Sequence, residues 1–427
     1  MAPARQPPFR HAPKVAMMPF QQALDTVLAQ ARPLDEVETL PLAEALGRYL
    51  AEDVAAREDI PVTDNSAMDG YGVRRADVAD AALCASRPLR VVDVLPAERA
   101  GRRPLQPGEA VKVMTGTPIP PGVDAVVMVE HTRREGDRVW IDRPAQPGEH
   151  IRPAGGDLAQ GAVALRKGER LTPANLGLLA SVGCARPTVV RRPRVGILAT
   201  GNELVGPEER LVPGKVRNAN SFTLMGLVHQ VGAEARLLGV APDREAELKA
   251  LLDQGLAEHD LLVTSGGVSM GDFDLIKRLV DEVGVQVHFR TVNVKPGKPL
   301  VFGHRERTLF FGLPGNPVSS MVMFLQLVRP ALLTLLHQRE TGFRLLRVPI
   351  AQEVRKTDGK RHFLRGVLQA DGERALRVSL TGDQSSNLLH SMGRANCLVV
   401  IEEERERVAA GEPVLVQVLD GAPFPVA

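Results

Sequence analysis

Apolar positions recur at helical spacing over Pro19–Ala31 and Leu42–Leu50, predicting two short helices near the start of the chain. From Ile60 the texture changes to brief apolar runs, Leu89–Leu95, Ala110–Met114, Ala125–Val129 and Arg138–Ile141. The strings PIPPGVD and QPGEH between them are turn chemistry, and together they suit short antiparallel strands. Helical spacing returns over Thr172–Val182, with Pro173 suited to the first helical position. Ile60–Glu149 therefore reads as an insertion within a helical region. Arg191-Arg192-Pro193 marks a joint, after which strand and helix patterns alternate. Strands are expected at Val195–Ala199, Glu234–Val240 and Leu261–Thr264, and helices near Ser221–Val231, Arg244–Leu256 and Asp272–Val283. That alternation argues for a mostly parallel, doubly wound sheet, closed by a helix over Pro317–His337. Five further β-like runs follow, near Leu346–Ile350, His362–Leu368, Ala375–Ser379, Cys397–Ile401 and Pro413–Val418, as a small antiparallel sheet or barrel would need.

The expected architecture is thus α/β and multidomain. A loose tail covers 1–13, and a helical/β N-terminal region combines 14–60 with 150–192. A β-rich insertion spans 61–149, a doubly wound α/β domain 193–340, and a C-terminal β-barrel-like domain 341–427. A length of 427 residues supports roughly two to four cores. Net charge is +2, which gives no electrostatic case for nucleic acid or a membrane surface. Cys84, Cys184 and Cys397 are far apart and match neither a disulfide framework nor a zinc-site spacing. The Pro- and Arg-rich start lacks the apolar core of a signal peptide, and no uninterrupted apolar run reaches membrane-spanning length. A soluble, cytoplasmic protein is expected.

The chemistry concentrates where the strand Leu261–Thr264 empties into SGGVSMGDFD, placing Ser265, Gly266, Gly267, Ser269 and Gly271 on a loop before a helix. Such a loop presents bare backbone N–H groups to an anion, although glycines are also routine in a tight strand-to-helix turn. Asp274 follows, as a metal ligand or a helix-entry acid. Glu203 stands just past another strand, in ATGNELV, at the end of the sheet where such folds bind ligands. Asp243 follows Pro242 and suits an N-cap equally well. Lys295-Pro296-Gly297-Lys298 holds two cations in a turn. In GLPGNP, Pro314 and Gly315 shape a loop, Asn316 suits an N-cap and Pro317 a first helical position. Asp69 in DNSAMDGYGVR, Thr115 in VMTGTPIP and Asp157 in AGGDLAQG would each pass alone for loop residues. No Ser-His-Asp spacing, HExxH, paired CxxC or Walker A string is present.

Taken together and in order, DNSAMDGYGVR, MTGTPIP, ATGNELV, SGGVSMGDFD, KPGKP and GLPGNP resemble the molybdopterin molybdenumtransferase family, of bacterial MoeA and the gephyrin E-domain. The likeness runs from about Met18 to the C-terminus. It implies a homodimer with four subdomains per chain, 14–60 with 150–192 serving as linker and dimerisation domain and 193–340 binding molybdopterin. The active site would lie between the α/β domain of one subunit and the second domain of the other. The implied activity is insertion of molybdate into adenylylated molybdopterin, releasing AMP and molybdenum cofactor, with Mg²⁺. Matching functional positions are Asp69, Thr115, Asp157, Glu203, Asp243, Asp274, Lys295 and Lys298. Asp243 and Asp274 are expected nearest the metal, with Glu203 as a further oxygen ligand toward the molybdate or pterin. Implied partners are a molybdopterin adenylyltransferase and molybdoenzyme-maturation proteins. Two departures stand out: Asn202 replaces the acid of the common TGDEL form, and FRTVNV lacks a lysine that many members carry before KPGKP, so Arg290 is the nearest substitute.

These residue types fit that chemistry. Two unit charges about 4 Å apart interact by roughly 4 kcal/mol at an intermediate dielectric, so carboxylates converging on anionic substrates need an intervening cation. Two other readings stay open: a molybdopterin adenylyltransferase, which would need only the α/β domain, and a non-catalytic scaffold on the same fold.

Overall fold

The computed structural model describes residues 17–242, 244–267, 275–370 and 376–421. Asp243, Ser269, Gly271 and Asp274 lie outside the described residues. The chain forms two compact units: Thr39–Val189, and the flanking segments up to Glu38 and from Val190 onward.

In the unit Thr39–Val189 the helix expected over Leu42–Leu50 is a single 3₁₀ turn, Leu42–Glu44. The turn ends at Ala45; Gly47, at φ +74°, lies in the next turn, after which Tyr49 and Leu50 bridge to Arg170 and Val189. The apolar positions are still buried, Ala45 and Leu50 packing with Leu165, Leu171 and Leu179. Helical spacing was satisfied by a different backbone. Pro173–Ser181 is a helix with Pro173 in its first turn and a capping box between Thr172 and Asn175.

The insertion is a six-stranded sheet in the order Ala125–Met128, Gly70–Val73, Glu109–Val113, Leu89–Leu95, Arg138–Ile141, Thr132–Glu135. It is not wholly antiparallel as expected, because Leu89–Leu95 and Glu109–Val113 pair in parallel. The long connection between those two strands supplies the crossover that a parallel pair requires.

In the other unit, β1 (Arg194–Thr200), β2 (Glu234–Ala241), β3 (Leu261–Ser265), β4 (Gln286–Thr291), β5 (Pro299–Arg305) and β6 (Thr308–Leu313) form one sheet. Their order is β2-β1-β3-β6-β5-β4. β2, β1, β3 and β6 are parallel, and β5 runs antiparallel to both of its neighbours. The sheet is therefore more mixed than the strand–helix alternation predicted: β5 and β6 form a tight hairpin through Glu306, at φ +54°. Helix α1 (Ala219–Val231) packs on β1 and β2 beside the helix that starts at Pro317. On the opposite face α2 (Glu245–Glu258) and α3 (Leu275–Glu282) share a core of Leu248, Leu252, Leu256, Ile276 and Leu279 with Leu198 and Leu262. Helices on both faces explain why β3, LLVTS, is buried at every position.

The helix Pro317–Leu335 is long and apolar enough to cross a membrane, yet 83% of its most apolar window is buried inside the fold. Its middle, Phe324–Val328, widens into a π turn. Pro330 follows, and its ring would otherwise press on the carbonyl of Gln326 four residues back.

The C-terminal sheet has the order 294–295, 361–370, 397–401, 413–418, 345–349, with 376–380 beside 361–370. It matches the five predicted runs, plus a helix, Leu389–Arg394, that the pattern did not signal.

Candidate functional site

β1 is laid down first, β2 joins on one side of it, and the chain then crosses to place β3 on the other. The carboxyl ends of β1 and β3 thus flank the switch point of the sheet, where doubly wound folds open a crevice. A cleft of about 730 Å³ lies there. Its walls include Thr200, Gly201 and Glu203 after β1, Ser265, Gly266 and Gly267 after β3, and Pro314, Gly315, Asn316 and Pro317 after β6, with Arg217, Asn218, Asn220, Pro299 and Asn387.

The two glycine loops touch through their backbones. The Gly266 N–H donates to the Leu313 carbonyl at 3.1 Å, and a Cβ on Gly315 would come within 3.6 Å of the Gly266 Cα. Asn220 clamps them: its Nδ2 donates to Ser265 Oγ at 2.7 Å and to the Gly315 carbonyl at 2.8 Å. Gly266 and Gly267 take φ +92° and +67°, a region that L side chains enter at a cost. Two helix starts face the same hollow. Asn218 caps α1 by accepting from the Ser221 N–H at 3.1 Å, and Pro317 opens the long helix. The Ser221 N–H is taken by Asn218 and the Val318 N–H by the Ser386 carbonyl at 3.1 Å, so it is the two helix dipoles that favour an anion here.

Asn316 stands at the N-cap position, as the sequence suggested, but its side chain makes no cap hydrogen bond. Its amide donates to Ser386 Oγ at 3.0 Å, tying the helix start to a loop of the C-terminal sheet. Arg365 shapes that loop. It is fully buried, donating to the carbonyls of Asp383, Gln384 and Ser385 and to Ser391 Oγ. Burial holds its pKa below the ordinary arginine value, and Asp383 offsets that only in part.

Glu203 stands at the rim, exposed, with its carboxylate folded against Gly201. Of the three carboxylates expected to hold metal, Asp243 and Asp274 lie outside the described residues. Among the described residues no group of three or more His, Cys, Asp or Glu is arranged to hold a metal ion. The lysines of KPGKP are not among the residues walling the cleft, although Pro299 is. The Lys295 side chain is 59% exposed, 3.9 Å from Asp358, and Lys298 is half-buried. Gly297, at φ +107°, lets the turn lie on Met323, whose Cγ would be 2.4 Å from an added Cβ. Arg290 gives no cation to the cleft: its guanidinium is tied to the Lys277 carbonyl and Asp281.

In the unit Thr39–Val189 the sequence-named residues Asp69 and Thr115 do meet. Gly70 pairs with Val113, so Asp69, just before one strand, adjoins Thr115, just past its antiparallel neighbour. The Thr115 N–H and Oγ donate to one oxygen of Asp69 at 2.6 and 2.9 Å. Those two bonds, the backbone one first, hold the Asp69 carboxyl below the usual range. Asp157 sits exposed in a turn whose N–H donates to the Ile60 carbonyl at 2.9 Å. Asp64 steadies the same turn by accepting from Ala154 N–H at 2.8 Å. Sequence reading missed Asn220, Arg365 and Asn387, for none stands in a recognisable string.

Three family profiles match the chain: "MoeA N-terminal region (domain I and II)" over 18–183, "Probable molybdopterin binding domain" over 196–334, and "MoeA C-terminal region (domain IV)" over 347–419. The Haemophilus influenzae protein named molybdopterin molybdenumtransferase is 38% identical over 403 residues, covering 94% of this chain and 98% of that one. A Mycobacterium tuberculosis relative, molybdopterin molybdenumtransferase 2, is 37% identical over 92% of this chain and 96% of its own. A molybdopterin biosynthesis MoeA protein from Pyrococcus horikoshii OT3 superposes with TM-score 0.81 at 31% identity, over 95% of this chain and 100% of that one. Sequence and fold agree over nearly the whole length, and the chain belongs to the molybdopterin molybdenumtransferase (MoeA) family, transferases of molybdenum cofactor biosynthesis.

Proposed function

We propose that this chain inserts molybdate into adenylylated molybdopterin, releasing AMP and molybdenum cofactor. The observation that carries the reading is the cleft at the switch point, where two glycine loops clamped by Asn220 and two helix starts converge. A pocket ringed by glycine backbone and faced by two helix N-terminal dipoles suits phosphates and an oxyanion better than an apolar substrate. The backbone N–H groups of Gly267 and Gly315 would seat phosphate oxygens, beside Gly266, whose own N–H is taken by the Leu313 carbonyl. Lys295 and Lys298 would add positive charge toward the molybdate. Phosphoanhydride cleavage by oxygen attack needs positioning and charge balance, and no covalent enzyme nucleophile.

Three carboxylates beside substrate phosphates would suit Mg²⁺, a hard cation commonly held by one or two carboxylates together with such phosphates. Glu203, with Asp243 and Asp274, would hold it, and it would offset repulsion between those acids and the phosphates. Asp69, Thr115 and Asp157 complete the residues assigned to the reaction. The working protein is read as a cytoplasmic homodimer. It would receive its pterin from a molybdopterin adenylyltransferase and deliver cofactor to molybdoenzyme-maturation proteins.

The test is AMP release from adenylylated molybdopterin by the purified full-length chain, with and without molybdate and Mg²⁺. Release that requires molybdate and stops on chelation is expected. Formation of adenylylated pterin from molybdopterin and ATP would instead identify an adenylyltransferase.

A further inference from the structure

The turn that carries Lys295 belongs to two sheets at once. Val294 and Lys295 form a short strand paired in parallel with Arg361 and His362, while Pro299 starts β5 of the α/β sheet. Asn293 fastens the joint: its Nδ2 donates to the Gly359 carbonyl at 2.9 Å, and its own carbonyl accepts from Arg361 N–H at 3.1 Å. Lys295 and His362 are register partners, so their side chains leave the sheet on one face. Asp358, in the turn before the longer strand, lies between them. Its Oδ1 is 2.8 Å from His362 Nε2, while Oδ2 is 3.9 Å from Lys295 Nζ and 3.7 Å from Lys360 Nζ. Lys356 closes the other side, its ammonium donating to the carbonyls of Lys360 and Glu403 at 2.7 and 2.6 Å.

An ion pair this long and this exposed adds little to folding stability. Its geometric effect is larger, because lysine is a point charge on a flexible four-carbon stem that sweeps a wide volume when nothing draws it to one side. The buried His362 ring anchors one oxygen of Asp358, which leaves the second facing the ammonium. We propose that Asp358 is a positioning residue for Lys295, with His362 fixing the orientation of its carboxylate. The inference rests on Lys295 serving as an anion-binding cation in the transferase reaction. Asp358 itself touches no substrate in this scheme and acts only through the lysine.

The experiment is a double-mutant cycle on the full-length chain with Asp358→Asn, Lys295→Ala and the pair, alongside Asp358→Glu as the conservative control. Asp358→Asn should raise the KM for molybdate by about two- to fivefold, with kcat changed less than about twofold. In the Lys295→Ala background the same substitution should add nothing, and Asp358→Glu should restore most of the loss. A second readout needs no turnover: NMR relaxation of isotopically labelled lysine should show larger-amplitude motion of the Lys295 ammonium in Asp358→Asn. Unchanged mobility of the Lys295 ammonium, additive effects in the cycle, or tighter molybdate binding in Asp358→Asn would each overturn the proposal. Failure of the unsubstituted protein to release AMP would count against the transferase reading instead, and the lysine relaxation would then decide the coupling alone.

Discussion

A Cβ added at Gly266 would lie 2.6 Å from the carbonyl oxygen of Thr200, on a backbone already at φ +92°. Neither the carbonyl nor the strand behind it can yield cheaply. Gly266→Ala should therefore cost roughly 1–3 kcal/mol of stability and distort the loop that lines the cleft. A urea midpoint equal to that of the unsubstituted protein, together with full AMP release, would refute this. Asp69 allows a finer test. Thr115→Val removes the hydroxyl donor and leaves the N–H bond, so the Asp69 pKa should rise part of the way toward its ordinary value. The check is NMR titration of the Asp69 carboxyl, and no movement would mean that the hydroxyl bond is absent in solution. Both residues were legible in sequence because each stands in a dense Gly/Pro/polar string. Asn220 and Arg365 were not, since one looks like any helix residue and the other like any strand arginine. Their partners are backbone carbonyls and two serine hydroxyls, which no spacing rule encodes.

At the scale of elements, the α/β alternation was legible because buried parallel strands read as continuous apolar runs between amphipathic helices. The Leu42–Leu50 segment misled for a physical reason. Its apolar spacing is set by what must be buried, and a 3₁₀ turn followed by extended chain buries the same residues. Nor could pattern foretell how the long helix docks on the C-terminal sheet. There Gln326, buried in the π turn, exchanges two amide hydrogen bonds with Gln417, at 2.7 and 3.2 Å. Gln326→Leu strands the Gln417 amide and should cost about 1–3 kcal/mol. Replacing both by Leu should recover most of that loss, because no polar group is then left unpaired. Urea midpoints of the single and double variants measure it; a double variant worse than the sum of the singles would show that the pair is not a closed unit.

Across the molecule, acid should act in two stages, and not equally on the two units. His288 and His362 both lie outside Thr39–Val189, and burial is the main cause holding each below the ordinary histidine pKa. For His288 the neighbouring His304 adds to that shift, while for His362 Asp358 offsets part of it. A histidine whose folded pKa is depressed lets the unfolded chain bind a proton that the native state refuses. Its unit therefore loses stability as pH falls below about 6.5, down to the folded value. The carboxyls act later. For Asp260 burial pushes the pKa up, but the paired bonds from Arg191 at 2.9 and 3.0 Å and the Arg194 N–H outweigh it and leave it low. Glu109 and Glu149, in the unit Thr39–Val189, are likewise lowered, burial opposing their N–H and arginine bonds without prevailing. Groups with depressed carboxyl pKa values stabilise above about pH 4 and lose that contribution as pH drops through their folded values. The sole tryptophan, Trp140, lies in the unit Thr39–Val189 and so reports on that unit alone. Between pH 7.5 and 5.5 the urea midpoint read from Trp140 fluorescence should hold, while hydrogen exchange of the Leu261–Ser265 strand in the other unit speeds up. Below about pH 4 both should fail together, as 53 lysines and arginines and 10 histidines then face neutralised acids. Were the Trp140 midpoint to fall first, the buried histidines would not be what sets the initial acid response.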